Sequence, residues 1–385
     1  MVALSVRGNK LTTQLFLMVL ALALCCICQK AIAQELKACA EPESSALVLN
    51  VRDKGAKGDG KSDDTTAIQA AIDEMAGTYG TVLVPDGVYL VDAAKNRLTL
   101  KSAMTLKLSA AAVLKAKANG AQYYSILRIA NVSDVAVLGG ALEGEREGHT
   151  GTSGEGGMGI FIGRGAKRIT ISGVTARKMW GDGFYIEAAT DVTLCSVTAD
   201  DNRRQGLSII DADGVLITNS VFKNSHGTRP SAGIDLEPDW PFQHVRNVRI
   251  EHSQFMNNAG AGILIDGGKG LVADVEIRYN VFAGPHPLKV KYAPGVLDAA
   301  IDGNFRRSPR IASVFGWERP PEVVAQREWP LPRWKKQLTA TSARLVARGH
   351  RAASQLAQLM SFGSWCQTVL VLLAALRPRS QPGAA

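Results

Sequence analysis

Cysteine is scarce in the part of this sequence that could form a folded domain. Three of its six cysteines fall within residues 25–28, and the others, Cys39, Cys195 and Cys366, are widely separated. This spacing excludes a cysteine-rich disulfide framework and offers no cluster of thiols for zinc. No cofactor is therefore predicted with certainty, and only a calcium requirement is left open.

An excess of charge of one sign is also absent from most of the chain. The formal net charge is +9, yet residues 301–385 hold 13 Lys or Arg against 4 Asp or Glu, which leaves 31 residues of each sign in residues 1–300. A neutral body argues against nucleic acid as a partner, because nucleic-acid binding depends on a basic surface. The positive charge belongs to the C-terminal tail.

Long apolar runs are confined to the two ends of the chain. Near the N-terminus, the run Leu15–Ile27 follows two basic residues and precedes the small residues of Ala31–Ala33. This order predicts a signal peptide over residues 1–33 and hence an exported protein, periplasmic or extracellular. An uncleaved membrane anchor is the alternative.

The C-terminal tail, residues 306–385, is interrupted by prolines and departs from the pattern of the rest of the chain. Lys335–Leu376 has helical patterning with basic residues, and its apolar stretch Trp365–Leu376 is too short to span a bilayer,. These features predict an amphipathic surface helix that contacts an anionic membrane peripherally or packs on the end of the main domain. A poorly ordered extension is the alternative.

The central sequence leaves no room for a helix within its repeating unit. Two columns of residues recur at intervals of about 20 to 30 positions, and alternating apolar and polar residues follow each. The columns are Ile169, Val192, Val215, Val248, Val275 and Gly159, Gly183, Gly206, Gly233, Gly262. Two strands per period, with turns rich in Asn, Asp and Gly, predict an all-β solenoid, a parallel β-helix. An antiparallel β-sandwich is the alternative, which the regular period disfavours.

The segment Val51–Val91 carries several motifs in a fixed order. It contains the glycine-rich turn GAKGDG at 55–60, the sequence Asp-Asp-Thr before an amphipathic stretch, and GTVLVPDGVY at 80–89. This order resembles the opening of the pectate-lyase-like right-handed parallel β-helix superfamily, in its rhamnogalacturonase and epimerase-like branch. With the repeats included, the resemblance extends over roughly residues 48–284. It implies a polysaccharide substrate and a right-handed parallel β-helix, which we expect over residues 34–305.

The acidic residues of this opening have a structural explanation. Asp63 or Asp64 can accept hydrogen bonds from the first amides of the helix that follows. The apolar stripe of this helix consists of Ala67, Ile68, Ala71, Ile72 and Met75,. Such a helix would cap the open end of the β-helix, where a bare sheet edge needs cover.

The residues after each aligned glycine separate into two sets. In an alternating strand the first and third residues face one side, and the second and fourth face the other. The predicted inward set is Phe184, Ile186, Leu207, Ile209, Ile234, Leu236, Ile263 and Ile265. The predicted outward set is Tyr185, Glu187, Ser208, Ile210, Asp235, Glu237, Leu264 and Asp266. The inward set is uniformly apolar, so we expect function on the varied outer wall.

The candidate catalytic acids and bases on this wall are four carboxylates, Asp182, Glu187, Asp235 and Glu237. Adjacent coils lie about 4.8 Å apart, so Glu187 and Glu237, two coils apart, would be separated by roughly 10 Å. Asp235 and Glu237, on one strand, would be about 7 Å apart. Both separations suit paired carboxyl groups that hydrolyse a glycosidic bond. In a lyase, Arg203 or Arg204 would instead remove the proton next to a uronate carboxylate.

The strands and the turns before them supply the candidate substrate-binding residues, which are Trp180, Tyr185, Lys178, Asp201 and His226. An aromatic ring can cover the apolar face of a sugar while cations pair with its carboxylates. The glycine-rich segment Glu143–Gly157 could close over a bound ligand. The structural alternatives are a turn plug for Trp180, an ion pair between Arg203 and Asp201, and an ordinary turn residue for His226.

The function expected from these features is an exported polysaccharide-active enzyme, a glycoside hydrolase or polysaccharide lyase. It would act on an acidic glycan in a groove on the outer face of the β-helix. A polymer-level uronate epimerase is one alternative. Unlike a hydrolase or a lyase, it would change neither the chain length nor the absorbance of the polymer. A non-catalytic glycan-binding β-helix of the cell surface is the other.

Overall fold

The computed structural model describes residues 44–291 and 295–306, together with the backbone of a short strand at Glu322–Val323. The predicted signal peptide and the predicted amphipathic helix of the tail lie outside these residues. Both, and the domain boundaries drawn from them, stay predictions. Within the described ranges no helix is long and apolar enough to cross a bilayer.

Short strands make up most of the described chain. In chain order, the first thirteen are β1 Val48–Asn50, β2 Asp59–Asp63, β3 Gly80–Val84, β4 Gly87–Val91, β5 Leu98–Thr99, β6 Met104–Leu108, β7 Ala112–Ala116, β8 Tyr123–Ala130, β9 Ser133–Leu138, β10 Ala141–Glu143, β11 Gly156–Ser172, β12 Thr175–Arg177 and β13 Phe184–Cys195. The others are β14 Thr198–Asp200, β15 Leu207–Thr218, β16 Val221–Lys223, β17 Ile234–Leu236, β18 His244–Glu251, β19 Gln254–Met256, β20 Ile263–Asp266, β21 Leu271–Arg278, β22 Val281–Ala283, β23 Leu288–Lys291, β24 Val296–Asp302, β25 Phe305–Arg306 and β26 Glu322–Val323.

Among the described residues, one α-helix, α1 at Thr65–Glu74, lies between β2 and β3, and two 3-10 turns occur at Val51–Lys54 and Arg146–Gly148. Oδ1 of Asp63 accepts a hydrogen bond from the backbone N–H of Thr65 at 3.1 Å, as expected for a helix start,. The carboxylate of Asp64 instead accepts from two backbone amides of the preceding glycine-rich turn. The buried side of α1 belongs to the same apolar core as the first strands. That α1 caps the open end of the β-helix stays a prediction.

The strands form two sheets, of 15 and 11 strands, in which neighbours are parallel except for the pair β25 and β26 among the described residues. The long strands β11, β13 and β15 bend midway. Their first halves join β5, β8, β17, β20 and β23, and their second halves join β9, β18, β21 and β24. The larger sheet therefore supplies two walls and the smaller sheet supplies a third, and the three walls enclose one core. The predicted all-β parallel solenoid is confirmed, with about nine turns.

The face formed by the first halves of β11, β13 and β15 with β17 and β20 is called the site wall below. At the start of these strands the register is the one that the aligned glycines predicted, since Phe184 pairs with Leu207, Leu207 with Ile234 and Ile234 with Ile263. The register shifts after Ile186, so the partner of Glu187 is Asp211 and not Ile210 of the predicted outward set. All eight residues of the inward set are fully buried in the main core. The alternation of apolar and polar residues therefore fixes which side of the site wall faces outward.

The glycine column has a steric cause. A Cβ atom added at Gly183 would lie 2.7 Å from the carbonyl oxygen of Gly206, and one at Gly206 would lie 2.4 Å from that of Gly233. Gly159 meets the next glycine of the column in the same way. Real Cβ atoms do not approach an oxygen this closely, so each coil needs glycine where it packs on the next.

Buried asparagines connect the coils at their turns. Asn202 accepts from the N–H of Met179 at 3.0 Å and donates to the carbonyl of Ala176 at 3.2 Å. Asn258 makes the same two kinds of bond further along the stack. These side chains satisfy backbone groups that the turns leave unpaired, which explains the asparagine-rich turns of the sequence.

Candidate active site

Three side chains from successive strands form a row on the site wall. Tyr185 of β13, Ser208 of β15 and Asp235 of β17 are register partners, so they project from the same side of neighbouring strands. Ser208 and Asp235 are buried and Tyr185 is partly exposed, although all three lie outside the apolar core. Turns at the edge of the wall therefore cover part of this row.

Asp182 precedes β13 and lies fully buried beneath Arg204. Its Oδ2 accepts hydrogen bonds from Nη1 of Arg204 at 2.9 Å and from the hydroxyl of Ser208 at 2.8 Å. Burial raises the pKa of Asp182 above its ordinary value, even though Arg204 and the other donors favour the carboxylate,. Asp182 is thus held in place by its neighbours and has no direct access to solvent.

Arg204 links this buried acid to the rim of the wall. Besides Asp182, it donates from Nε to the carboxylate of Glu155 at 2.9 Å. Burial alone would lower the pKa of Arg204, but the nearby carboxylates, Asp182 foremost, outweigh it and raise the pKa. Arg204 therefore stays cationic, which is unfavourable for the base role considered for it and favours pairing with an anion.

Gln205 bridges two of the candidate acids. Its backbone N–H donates to Oδ1 of Asp182 at 3.0 Å, and its side-chain Nε2 donates to Oδ2 of Asp235 at 2.6 Å. Its Oε1 accepts from the backbone N–H of Ala232 at 2.7 Å. Because Gln205 is fully buried with both ends of its amide engaged, it fixes the orientation of Asp182 and Asp235,.

Asp235 is buried on β17 near the carboxylate of Glu237. Oδ1 of Asp235 is buried, and no N–H or O–H of the described residues donates to it. Burial raises the pKa of Asp235 well above its ordinary value, and the neighbouring carboxylate of Glu237 raises the pKa further. Asp235 therefore keeps a proton at pH values at which an exposed aspartate is ionised.

Glu187 lies on β13 near Tyr185 and the loop after β17. Burial raises the pKa of Glu187, with smaller contributions from the carboxylates of Asp239 and Asp211. The pKa of Tyr185 is also raised, first by burial and then by Glu187 and Asp239. Tyr185 is consequently a neutral phenol at physiological pH, which can donate a proton or a hydrogen bond.

Trp180 and Arg203 are packed together away from this row. The guanidinium carbon of Arg203 lies 3.7 Å from the centroid of the Trp180 ring, and the ring of His149 stacks on the same indole at 3.8 Å. Two groups this close to one centroid must lie on opposite faces. Neither face of Trp180 is left for a sugar, which favours the structural alternative for this residue.

The segment Glu143–Gly157, expected to be able to close over a ligand, is attached to the body along its length. Arg146 pairs with Asp201 at 2.7 Å and Glu147 pairs with Lys178 at 2.8 Å. His149, fully buried, also contacts the carboxylate of Glu145, which accepts from the hydroxyl of Tyr124. The segment forms a fixed side of the site wall in this structure, with Glu155 beside Arg204 at its end.

Lys178, Asp201 and His226 lie at the neighbouring corner of the solenoid. They line a cavity of about 480 Å³, together with Arg177, Asp200, Asn224 and Asn257. Asp201 pairs with Arg146 rather than Arg203, and His226 Nδ1 lies 3.7 Å from Asp201. The structure thus brings Asp182, Arg204, Tyr185, Glu187, Asp235 and Glu237 to one wall and separates the remaining candidates from them.

In the described ranges, no group of three or more His, Cys, Asp or Glu side chains is placed to hold a metal ion. The acids of the site wall instead engage Arg204, Gln205 and one another.

The sequence over residues 48–277 matches the family model described as rhamnogalacturonase A/epimerase, pectate lyase-like. The chain belongs to this family. The mannuronan C5-epimerase AlgE3 of Azotobacter vinelandii is 30% identical over 272 residues, which are 66% of this chain and 14% of AlgE3. The Bacillus subtilis protein YclG is 24% identical over 303 residues, 70% of this chain and 50% of YclG. The chain therefore spans half or less of the length of AlgE3 and YclG.

Solved structures support the same fold. The family 28 exopolygalacturonase of Yersinia enterocolitica superposes with a TM-score of 0.56 at 17% identity. The superposition covers 70% of this chain and 60% of the exopolygalacturonase. At this identity the likeness concerns the parallel β-helix alone.

Gln205 and Ser208 lie on the site wall but were not among the predicted site residues. A signal for Gln205 was present in the sequence, since Asp182 and Gln205 precede aligned glycines where Ala232 and Ala261 stand in later coils. Ser208 was assigned to the outward set, but its bond to Asp182 depends on the turn before β13. Asp239 was missed because it lies in the loop between β17 and β18, outside the alternating strands.

Proposed function

We propose that this protein is an exported enzyme that acts on an acidic polysaccharide along the site wall. Its chemistry would be proton transfer at the sugar carbon next to a uronate carboxylate, as in an epimerase or a lyase. The observation that carries the proposal is the buried Asp235 on the outer side of the wall beside Glu237, because burial and this neighbour favour the protonated form of Asp235. Relatives named as mannuronan C5-epimerases support a uronate polymer as the substrate class.

The surroundings of the carboxyl groups on the site wall suit one of them as a base and others as an acid. Glu187 is a partly exposed carboxylate whose raised pKa makes it the proposed base,. The proton held by Asp235 beside Glu237 is the proposed acid. The strands of Glu187 and Asp235 are two coils apart, roughly 10 Å, which leaves space for one sugar ring between the groups. Carboxyl groups whose environments push their pKa values apart are a common basis for such a division of roles.

Neutralising the substrate carboxylate is the other requirement of this chemistry. Removal of the neighbouring proton by the base places charge on that carboxylate, and a cation or hydrogen-bond donor must stabilise it. Arg204, which lies near Asp182, Asp235 and Tyr185, and the phenol of Tyr185, which lies near Glu187, are the proposed donors. In an epimerase a proton is then returned to the opposite face of the ring. In a lyase the glycosidic oxygen at the adjacent carbon departs instead.

A hydrolase fits this wall less well. An inverting glycosidase separates its carboxyl groups by roughly 6.5–9.5 Å to admit a water, and a retaining one by about 5–5.5 Å. Asp235 is buried and its Oδ2 accepts a hydrogen bond from Gln205, so it is not placed to attack a sugar or to activate a water. Asp182 is buried with both oxygens occupied, so it is not available to attack a sugar.

Export is part of the proposal and rests on two features. One is the predicted signal peptide over residues 1–33. The other is Cys195, which is buried and disulfide-bonded, a pairing that the wide cysteine spacing did not predict. Disulfides persist mainly in oxidising compartments such as the periplasm and the extracellular space.

The test incubates the protein in D₂O with mannuronan and, separately, with polygalacturonate. Deuterium in intact polymer indicates epimerisation, ultraviolet absorbance from unsaturated ends indicates elimination, and new reducing ends without absorbance indicate hydrolysis. Glu237→Gln should reduce turnover by at least about 100-fold, the usual contribution of a general acid or base. Glu276→Gln, which changes a partly exposed carboxylate on β21, far in the fold from the site wall and paired with Arg249, is the matched control. Reducing ends alone, or full activity of Glu237→Gln, would contradict the proposed chemistry.

A further inference from the structure

An exposed pair of aromatic rings stands beside the candidate site. Trp240 and Phe242 are 59% and 72% exposed, and their rings are parallel to within 5° with centroids 6.4 Å apart. Two large rings that stay exposed on one short loop gain little free energy from burial when the protein folds. Exposed apolar patches of this kind commonly mark interaction sites. The pair presents two exposed, parallel aromatic rings on the loop that follows β17 of the site wall.

The loop that carries these rings is an insertion. Leu207 and Val215 pair with Ile234 and Val248 of the next coil, yet the interval grows from 8 to 14 residues. The six additional residues lie between β17 and β18, directly after the candidate acid pair. Trp240 and Phe242 thus belong to a feature added to the solenoid at the site.

The loop is held in one conformation by a buried glutamine. Oε1 of Gln243 accepts from the backbone N–H groups of Asp239 at 2.7 Å and Trp240 at 3.0 Å. The backbone N–H of Gln243 donates to the carbonyl of Trp240 at 3.0 Å. Gly270 packs so closely that an added Cβ would lie 2.7 Å from the same carbonyl. The rings are therefore presented on a rigid base, which lowers the entropy cost of binding.

The same loop reaches the catalytic row. Asp239, next to Trp240, is close enough to Tyr185 and Glu187 to raise the pKa of both. Nζ of the exposed Lys269 lies 3.6 Å from the carboxylate of Asp239, the residue before Trp240, so the loop that bears the rings also has a cation next to it. An aromatic surface next to an ammonium group complements a sugar ring that has an apolar C–H face and a carboxylate.

We propose that Trp240 and Phe242 form a subsite that stacks against one ring of an acidic glycan, next to the sugar unit that reacts on the site wall. This inference rests on the proposed function. It predicts that long chains bind more tightly than short ones because they reach the rings while a unit occupies the wall. Lys269 would pair with the carboxylate of the stacked sugar.

The test measures binding of mannuronan and polygalacturonate oligomers of increasing length to the full chain by calorimetry. Trp240→Ala and Phe242→Ala should each raise Kd for long oligomers by about tenfold, equal to about 1.4 kcal/mol, and leave Kd for the shortest bound oligomer unchanged. Trp240→Phe should restore most of the affinity. Tyr279→Ala removes another exposed ring, 45% exposed and stacked on His252, and is the matched control.

The outcomes separate this inference from the proposed function. Equal loss of affinity at every length, or no loss, overturns the subsite and leaves the proposed function standing. No binding and no turnover of either polymer overturns both. A change in sedimentation with protein concentration that disappears in Trp240→Ala, without a change in glycan affinity, would make the rings a self-association surface and also overturn the inference.

Discussion

Replacing Asp235 by asparagine should stabilise the fold while abolishing turnover. In the folded protein, burial and the neighbouring Glu237 raise the pKa of Asp235 above its ordinary value of 3.8. Between that value and the folded pKa, the folded state keeps a proton that the unfolded chain has released. Stability from this group is therefore present at low pH and is lost as pH rises, by up to about 1.4 kcal/mol per pH unit for one proton.

Asparagine removes this dependence without removing the hydrogen bonds. Its Oδ1 can still accept from Nε2 of Gln205, and its amide N–H can donate to Glu237 in place of the retained proton. The free energy of unfolding of Asp235→Asn minus that of the wild type should thus increase with pH, by up to about 1.4 kcal/mol per pH unit above pH 4. Loss of activity alongside a gain in stability is a usual property of strained functional sites.

The assay is urea unfolding followed by circular dichroism at several pH values between 4 and 8. Glu276→Gln, on another wall, serves as the control and should follow the wild type. A difference between Asp235→Asn and wild type that does not change with pH would refute the retained proton. A lower stability of Asp235→Asn at all pH values would show that the carboxylate is ionised and favourable in the fold.

Two further predictions concern the scaffold. Gly206→Ala should destabilise the protein by about 3 kcal/mol in urea unfolding, because the added Cβ would lie 2.4 Å from the carbonyl oxygen of Gly233,. Gly284→Ala, with no atom within 4 Å of its added Cβ, should stay within about 0.5 kcal/mol of wild type, and equal effects of the two would contradict the steric explanation,. Trp180→Ala should cost about 3 kcal/mol and expose the segment Glu143–Gly157 to limited proteolysis, because both stacking partners lose their contact,. Trp240→Ala, an exposed change, should alter neither, and an unchanged cleavage pattern in Trp180→Ala would contradict the anchoring role.

Much of the fold could be predicted because its determinants are local and periodic. Alternation after each aligned glycine identified the inward residues, such as Phe184 and Ile209, and these are fully buried. The spacing of the glycines predicted which residues are register partners, so Tyr185, Ser208 and Asp235 could be assigned to one row. Alternation works here because side chains of a strand point to opposite faces with a period of two.

The candidate site could be predicted only in part. Alternation assigned Asp235 to the outer side of β17 but could not show that its side chain is buried and bonded to Gln205, since this depends on side chains from another coil. Trp180 is an aromatic residue of the type that stacks on sugar rings. In the folded protein, however, the ring of His149 from another segment occupies one of its faces. Contacts of this kind join residues that no local pattern relates.

The sequence alone determined the repeat, the glycine column and the side of each strand that faces the core, because one coil constrains the next through steric contact and alternation. Tertiary structure decided which polar groups share protons, which aromatic rings are buried and which are presented to solvent. Those properties depend on the distances between side chains from different coils and loops. Trp240 illustrates the difference: the sequence showed a longer interval between β17 and β18, but only the folded loop showed two parallel rings beside the site.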